Sequence, residues 1–474
     1  MTEYQPVNRP VQFRLRSGER KIILLVGDIL ITILALFIAL YFWSQEDWLN
    51  FSWTFLKTRP PFWFYFLPVF WVLINIELYD IRRSSRRSDT IRGIAIAAAI
   101  SFVVYLIIYF TSSPNSLPRR GVAGFIVSSA VLMLIWRFLY IGIFTAPQFM
   151  RRVMIVGAGR AGSTLAKVVR EVWPSPFYLV GFIDDDPQKQ GTQVEGFPVL
   201  GGNQDLMRII EEQKISDLVF AISGDISDDM FRALFNAVEN GIEINNMPMI
   251  YEEILGRVPI FLLEDDWLLR SFVDQAQTNT FYEMMKRIID IAGGVVGTLI
   301  FIFTLPITSL LIILDTGTPV IYSQLRMGKN GRLYTIYKYR TMRQDSEKDG
   351  KPQVTVKNDE RITRVGRFLR KSHMDELPQF INVLRGEMSL VGPRAERMEL
   401  VKDLTQKIPF YRARLMVKPG LTGWAQVNFG YAETVSDTAI KLEYDLYYIK
   451  HRGILLDVII LLRTVGTVVG FRGQ

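Results

Sequence analysis

Met285-Lys-Arg-Ile-Ile-Asp290, followed by the apolar run Ile291–Leu314, is the stretch on which the fold turns. Its basic first turn opens a helix, and the ~24 residues that follow are enough to cross hydrocarbon about 30 Å thick. The run contains Gly293, Gly294, Gly297 and, two-thirds along, Pro306. A straight span would be the fifth crossing of the chain and would carry everything after it to the other side of the membrane. Proline removes one backbone hydrogen bond and kinks a helix. Non-helical backbone at membrane depth survives only where protein covers it. A re-entrant helix over about 286–315 that turns at Leu305-Pro306 and returns to the face it left satisfies both conditions. An ordinary kinked span is the alternative.

The choice of face matters because of the next informative segment. Met374-Asp-Glu-Leu-Pro-Gln-Phe-Ile-Asn-Val-Leu-Arg-Gly-Glu-Met-Ser-Leu-Val-Gly-Pro-Arg394 sets two adjacent carboxylates, Asp375 and Glu376, against cations and glycine-proline positions. Arg361, Arg364, Arg367 and Arg370 precede it at three-residue spacing, which lines cations along one helix side. Carboxylates, cations and a membrane together point to phosphate chemistry on a lipid.

Composition narrows the chemistry. The 474 residues include no cysteine and only two histidines, His373 and His451. Thiol nucleophiles and Cys-ligated metals are excluded, and a His-based triad or metal cluster is disfavoured. Carboxylates, Lys, Arg or an oxygen-ligated cation must do the work. The hydrophobic share of 49% suits a chain that is part membrane and part globular. The net charge of +8 then reads as cytoplasmic loops and anionic headgroups, with no nucleic-acid partner.

Four apolar runs precede residue 150: Ile22–Trp43, Phe62–Ile76, Ile94–Phe110 and Val122–Phe144. They predict a four-helix transmembrane domain over 1–148. Twelve cations flank one side, among them Arg9, Arg14, Arg16, Arg82 and Arg83, against four on the other, which orients the N-terminus and all that follows 150 to the cytoplasm. Asp28 falls inside the first run and is expected to snorkel to the interface rather than to make a contact in the bundle.

From 149 to 275 the pattern becomes α/β. Strand Arg152–Val156, the turn Gly157-Ala-Gly159-Arg-Ala-Gly162 and a helix from Ser163 form the context of a dinucleotide fingerprint. A strand Tyr178–Ile183 ends at Asp184, placed to take a ribose hydroxyl. Segments 206–213, 217–222, 230–241 and 242–246 continue a βαβ series. Two uses stand open for this Rossmann-like, CoA- or nucleotide-binding-like domain: binding a nucleotide, or a scaffold for packing, dimerisation or regulation. The absence of a Tyr-x-x-x-Lys pair lowers the oxidoreductase reading.

Lys-Tyr-Arg-Thr-Met (338–342), Asp-Glu-Leu-Pro-Gln (375–379), the stretch 382–394 and Lys-Pro-Gly-Leu-Thr-Gly-Trp-Ala-Gln-Val-Asn (418–428) resemble the bacterial sugar transferases, specifically the large monotopic polyprenyl-phosphate hexose-1-phosphate transferases. The resemblance covers about 281–474 and implies an α-rich (α+β) monotopic catalytic domain over 276–474, in a multidomain membrane protein of the bacterial inner membrane. It implies transfer of a hexose 1-phosphate from a UDP-hexose to undecaprenyl phosphate, with release of UMP and an aspartyl phosphosugar intermediate, at the start of exopolysaccharide, capsule or O-antigen assembly. Asp375 would be the nucleophile and Glu376 its partner, as base or as ligand of Mg²⁺, with Asp445 or Asp457 completing the shell. Lys338, Arg370 and Arg394 would neutralise developing phosphate charge. Arg340, Arg385, Gly392, Pro393 and Gln426 would contact substrate. Gly420 and Gly423 either let backbone approach the nucleotide or form a structural turn. His373 stands where the family usually has a small residue and is given no catalytic role. A homodimer is expected. The alternative is a membrane-anchored NAD-dependent nucleotide-sugar oxidoreductase or epimerase.

Overall fold

Membrane helices come first. Ser17–Ser44, Arg87–Thr111 and Arg119–Phe144 are long and apolar, and with Thr280–Thr316 they make four helices able by length and composition to cross a bilayer. The computed structural model describes residues 17–45, 47–79, 84, 86–111, 119–144, 150–173, 175, 177–222, 224–263, 280–343, 359–430 and 434–469. Arg9, Arg14, Arg16, Arg82 and Arg83, used above for orientation, lie outside them. The second apolar run departs from expectation. It forms a 3-10 turn, Phe62–Phe66, and a short helix, Leu67–Ile74. End to end these reach about 22 Å, short of the ~30 Å needed. Asn75 ends the helix, donating from Nδ2 to the Trp71 carbonyl. The four-helix expectation for 1–148 thus becomes three long helices and one short aromatic one.

Asp28 also corrects the sequence reading. It is fully buried and pairs at 2.5 Å with Arg137, whose side chain is equally buried. Arg137 also donates to the Leu78 carbonyl at 2.8 Å. Two charges in a bilayer bundle that meet each other need no snorkelling. The partner lies 109 residues away, so no local pattern announces it.

The chain divides into two units, 1–250 and 251–474. The first also holds a sheet of order β3-β4-β2-β1-β5-β6. Its strands are β1 Arg152–Val156, β2 Tyr178–Ile183, β3 Gln193–Val194, β4 Phe197–Gly201, β5 Asp217–Phe220 and β6 Glu243–Asn246. All pairings are parallel except β3–β4 at the edge. Helices Arg160–Glu171, Leu206–Glu212 and Asp228–Glu239 make the crossovers, and Met154, Val156, Ile183, Leu218 and Leu234 lie in one buried cluster. This is the Rossmann-like order expected. Only β3 and β4 went unread, because Gln193–Gly201 is short and broken by Gly196 and Pro198, so no period shows.

The second unit carries the acid pair. Residues 251–262, assigned above to the middle domain, pack here: Lys450 bonds Glu252 at 2.8 Å and Trp424 Nε1 bonds the Gly256 carbonyl at 2.7 Å. The helix Thr280–Thr316 continues through Pro306. The turn expected at Leu305-Pro306 is therefore not an interruption of helical structure. A hairpin follows, β7 Ile321–Met327 with β8 Leu333–Tyr339. Helix Arg364–Lys371 starts at Thr363, whose Oγ1 caps the Gly366 amide at 2.9 Å. The 3-10 turn Met374–Gln379, helix Phe380–Arg385, and the parallel pair β9 Ser389–Val391 and β10 Gly420–Thr422 complete the frame around the site.

Candidate active site

Three pieces of backbone meet at the acid pair. Strand β8 delivers Lys338, the 3-10 turn delivers Asp375 and Glu376, and the segment after β9 delivers Arg394. His373 sets the turn: its φ of 56° ends helix Arg364–Lys371 in the left-handed region. That is a backbone position where glycine, lacking a Cβ, costs less. Asn382, fully buried, fixes β8 against the acid segment: its Oδ1 accepts from the Tyr337 amide and its Nδ2 donates to the Thr335 carbonyl and to Glu387.

Glu376 Oε1 accepts from Lys338 Nζ at 2.8 Å and from Arg394 Nη2 at 2.7 Å. Asp375 is 9% exposed, and among the described residues no hydrogen-bond donor engages its carboxylate. The two carboxyls titrate apart, as adjacent like charges must. Burial and the neighbouring Glu376 charge raise Asp375, with Lys338, Arg370 and Arg394 opposing. Burial works against Glu376 as well, but Arg394 and Lys338 outweigh it and hold that carboxyl far below the usual range. Arg370 acts on Asp375 through space while its Nε donates to Thr341 Oγ1 at 2.8 Å.

The other expected residues lie elsewhere. Arg340 is buried and turns away, donating from Nη2 to the Thr316 carbonyl at 3.0 Å, to Thr316 Oγ1 and to the Gly317 carbonyl. It caps the C-terminal end of the membrane helix rather than facing a phosphate. Arg385 is exposed against the Tyr337 hydroxyl. Gly392, Gly420 and Gly423 pack backbone to backbone, where a Cβ on any of them would collide with main-chain atoms of Lys418 or of one another. This packing fits the structural turn expected of Gly420 and Gly423. Pro393 belongs to the same junction, its carbonyl accepting from the Gly420 amide. Gln426 Nε2 donates to the Leu421 carbonyl.

Asp445 and Asp457, the other expected metal ligands, are engaged by cations of their own. Asp445 is locked to Arg414 at 2.9 Å, and Asp457 to Lys286 at 2.8 Å and the Tyr448 hydroxyl at 2.8 Å. No group of three His, Asp or Glu side chains converges among the described residues.

Sequence reasoning missed Asp290 and Arg414. Asp290 takes Ser389 Oγ and the Leu390 amide, both at 2.9 Å, and so pins β9 to the membrane helix. Arg414 holds the Arg394 carbonyl at 3.0 Å. An acid inside an apolar helix was the only available signal for Asp290; nothing local marks Arg414.

In the first unit, the glycine turn has its expected form. Gly157 has φ +103° and Gly162 leaves no room for a Cβ beside the Gly157 carbonyl. Asp184, however, is used internally. It accepts from the Ala158 amide at 2.7 Å and from Lys189 at 3.2 Å.

A buried carboxyl beside one held by two cations, next to a membrane helix, is an arrangement able to handle a phosphoryl group. Comparison with known proteins agrees. The family described as "Bacterial sugar transferase" matches residues 281–471, and "CoA-binding domain" matches 75–248. An Aeromonas hydrophila UDP-N-acetylgalactosamine-undecaprenyl-phosphate N-acetylgalactosaminephosphotransferase is 38% identical over 62% of this chain and 66% of its own length. A Komagataeibacter xylinus undecaprenyl-phosphate glucose phosphotransferase is 28% identical over 82% and 74%. An exopolysaccharide production protein of Rhizobium leguminosarum bv. phaseoli is 38% identical over 38% of this chain and 94% of its own length. The chain belongs to the bacterial sugar transferase family. It spans about two thirds of the length of the Aeromonas relative.

Proposed function

We propose that this protein moves a sugar 1-phosphate from a UDP-sugar to undecaprenyl phosphate and thereby begins assembly of a surface polysaccharide. The observation that carries the reading is the division of labour at 375–376. Glu376 has its charge taken up by Lys338 and Arg394, while Asp375 is buried with no hydrogen-bond donor on its carboxylate among the described residues. In the first displacement an Asp375 oxygen bonds the sugar-bearing phosphorus, the bond from that phosphorus to the bridging oxygen breaks, and UMP departs with the bridging oxygen. In the second, an oxygen of undecaprenyl phosphate bonds the same phosphorus and Asp375 leaves as a carboxylate. Splitting the transfer in two keeps the phosphoryl group activated throughout. Glu376, held ionised, is a poor proton acceptor, so its part is to position Lys338 and Arg394 for the phosphate charge.

Mg²⁺ fits this donor set. It takes one or two carboxylates together with substrate phosphate oxygens. Asp375 and the second oxygen of Glu376 would hold it, and it would neutralise phosphate charge.

The cytoplasmic face of the inner membrane is the side on which UDP-sugars are found. Both ends of the helix Thr280–Thr316 support its entering and returning there. Near one end Arg287 donates to the Val383 and Leu384 carbonyls; at the other, Asp315 accepts from the Val365 amide and Thr316 from Arg340. All these partners belong to one unit.

UMP release from a panel of UDP-sugars, with undecaprenyl phosphate and Mg²⁺, tests the proposal. Wild type should release UMP with one sugar preferred, and Asp375→Asn should lose at least about 10³-fold. Full activity in Asp375→Asn would overturn the mechanism.

A further inference from the structure

The first turns of the membrane helix Thr280–Thr316 carry a second charged site, separate from the acid pair. Lys286, Arg287, Lys329, Lys418 and Arg452 line an open cleft with only Glu283 and Asp290 as acids on its wall. Two of these cations are already paired, and Asp290 has neutral hydrogen-bond partners while acting on Lys418 through space. Lys286 is bonded to Asp457, the Tyr448 hydroxyl and the Val391 carbonyl. Arg452 faces Glu283 at 3.3 Å. Asp290 is spent on Ser389 and the Leu390 amide.

Arg287, Lys329 and Lys418 remain. Arg287 has only the two carbonyls that end helix Phe380–Arg385, and among the described residues Lys329 and Lys418 have no hydrogen-bond or ion-pair partner. A point one Cβ out from Gly386 lies 3.5 Å from Lys418 Nζ and 3.6 Å from the Arg287 guanidinium carbon. Two cations thus face the same space with no anion between them. Burial, with Arg287 and Lys329 close by, pushes the Lys418 ammonium down. Like charges gathered in a partly buried cleft are stabilised by a bound anion.

We propose that this cleft binds a phosphate group through Lys418, Lys329 and Arg287. The apolar run begins at Ile291, one helical turn after Arg287, so the cleft sits at the depth of lipid headgroups. A phospholipid headgroup and a soluble phosphate offer the same chemistry, and binding data separate them. The site lies outside the proposed transfer reaction.

Full-length protein in neutral detergent is titrated with inorganic phosphate while its thermal midpoint is followed. In parallel, native mass spectrometry counts phosphatidylglycerol against phosphatidylcholine retained from mixed nanodiscs. Wild type should bind at least one probe, and Lys418→Gln and Lys329→Gln should each weaken it about tenfold. Asp375→Asn should bind as wild type does, which separates this cleft from the acid pair and keeps the result independent of the transfer chemistry. Retention of phosphatidylglycerol without a phosphate response assigns a lipid headgroup; the reverse assigns a soluble phosphate. Lys329 lies in a surface turn, so its variant decides the matter if Lys418→Gln fails to fold. Binding of neither probe, or binding undiminished in both lysine variants, overturns the proposal.

Discussion

Asp375 and Glu376 are adjacent in the chain and opposite in ionisation. Burial and Glu376 raise one; Arg394 and Lys338, overcoming burial, depress the other. A nucleophilic Asp375 must be ionised, so the acid limb of kcat/KM should lie above the ordinary aspartate value of 3.8. Glu376→Gln removes a negative neighbour and leaves Lys338 and Arg394 to act on Asp375 alone. The limb should then move to lower pH in a profile of UMP release, and an unmoved limb would separate the titrating group from Asp375. His373 offers a stability test at the same scale. Its left-handed backbone costs a non-glycine residue roughly 1 kcal/mol, so His373→Gly should relieve about that much strain, partly offset by glycine's greater unfolded-state entropy, and raise the thermal midpoint slightly. A midpoint several degrees lower would show that the imidazole does more than occupy the turn. The acid pair, Lys338 and Arg394 were legible because each lies in a contiguous motif. Arg340 was not, although it lies in the same motif as Lys338. Along a strand successive side chains point to opposite faces, and β8 ends at Tyr339, so Arg340 turns toward the helix end instead.

Elements in the second unit are held by ion pairs that no sequence window contains. Helix Val435–His451 meets the segment 251–262 through Glu443, which takes the Tyr251 hydroxyl at 3.3 Å and faces Arg257 at 3.2 Å, while its own carbonyl accepts the Val258 amide. Burial raises the Glu443 carboxyl from 4.5 to about 7 despite Arg257. Its folded pKa exceeds its unfolded one, so the folded state holds the extra proton and stability falls as pH rises from 4.5 through 7. The loss is at most roughly 3 kcal/mol. Glu443→Gln cannot ionise, so its thermal midpoint should gain on wild type as pH rises from 5 to 8. A difference that stays constant with pH would contradict the raised carboxyl. The same distance problem explains Asp28 and Arg137. Each is an isolated polar residue in an apolar run, and only the folded bundle shows that they meet. The short second apolar helix was misjudged for another reason: hydropathy counts apolar residues, but Asn75 ends the helix by a local hydrogen bond that hydropathy does not see.

For the whole molecule, the proposed transfer needs both ends of the helix Thr280–Thr316 on one face of the membrane. The absence of native cysteine allows a direct check, since a single thiol introduced at Phe281 or at Asp315 is the only one in the protein. Both should react with a membrane-impermeant reagent from the cytoplasmic side of inverted vesicles. Labelling of Asp315→Cys only from the opposite side would turn the helix into an ordinary span and place Asp375 away from UDP-sugars. The organisation into membrane helices, Rossmann-like sheet and motif-rich C-terminal unit was readable from periodicity and composition, because each of these has its own repeat. The assignment of 251–262 to the second unit was not, since Glu252 and Gly256 find Lys450 and Trp424 nearly two hundred residues on.

In the proposed transfer, Asp375 carries the sugar phosphate between two displacements. Incubating the protein with a UDP-sugar labelled in the sugar, Mg²⁺ and no lipid acceptor should leave label on the protein, removable by hydroxylamine and matched by an equal release of UMP, with none on Asp375→Asn. UMP formed only when undecaprenyl phosphate is present, with no protein-bound label, or equal labelling of Asp375→Asn, would contradict it.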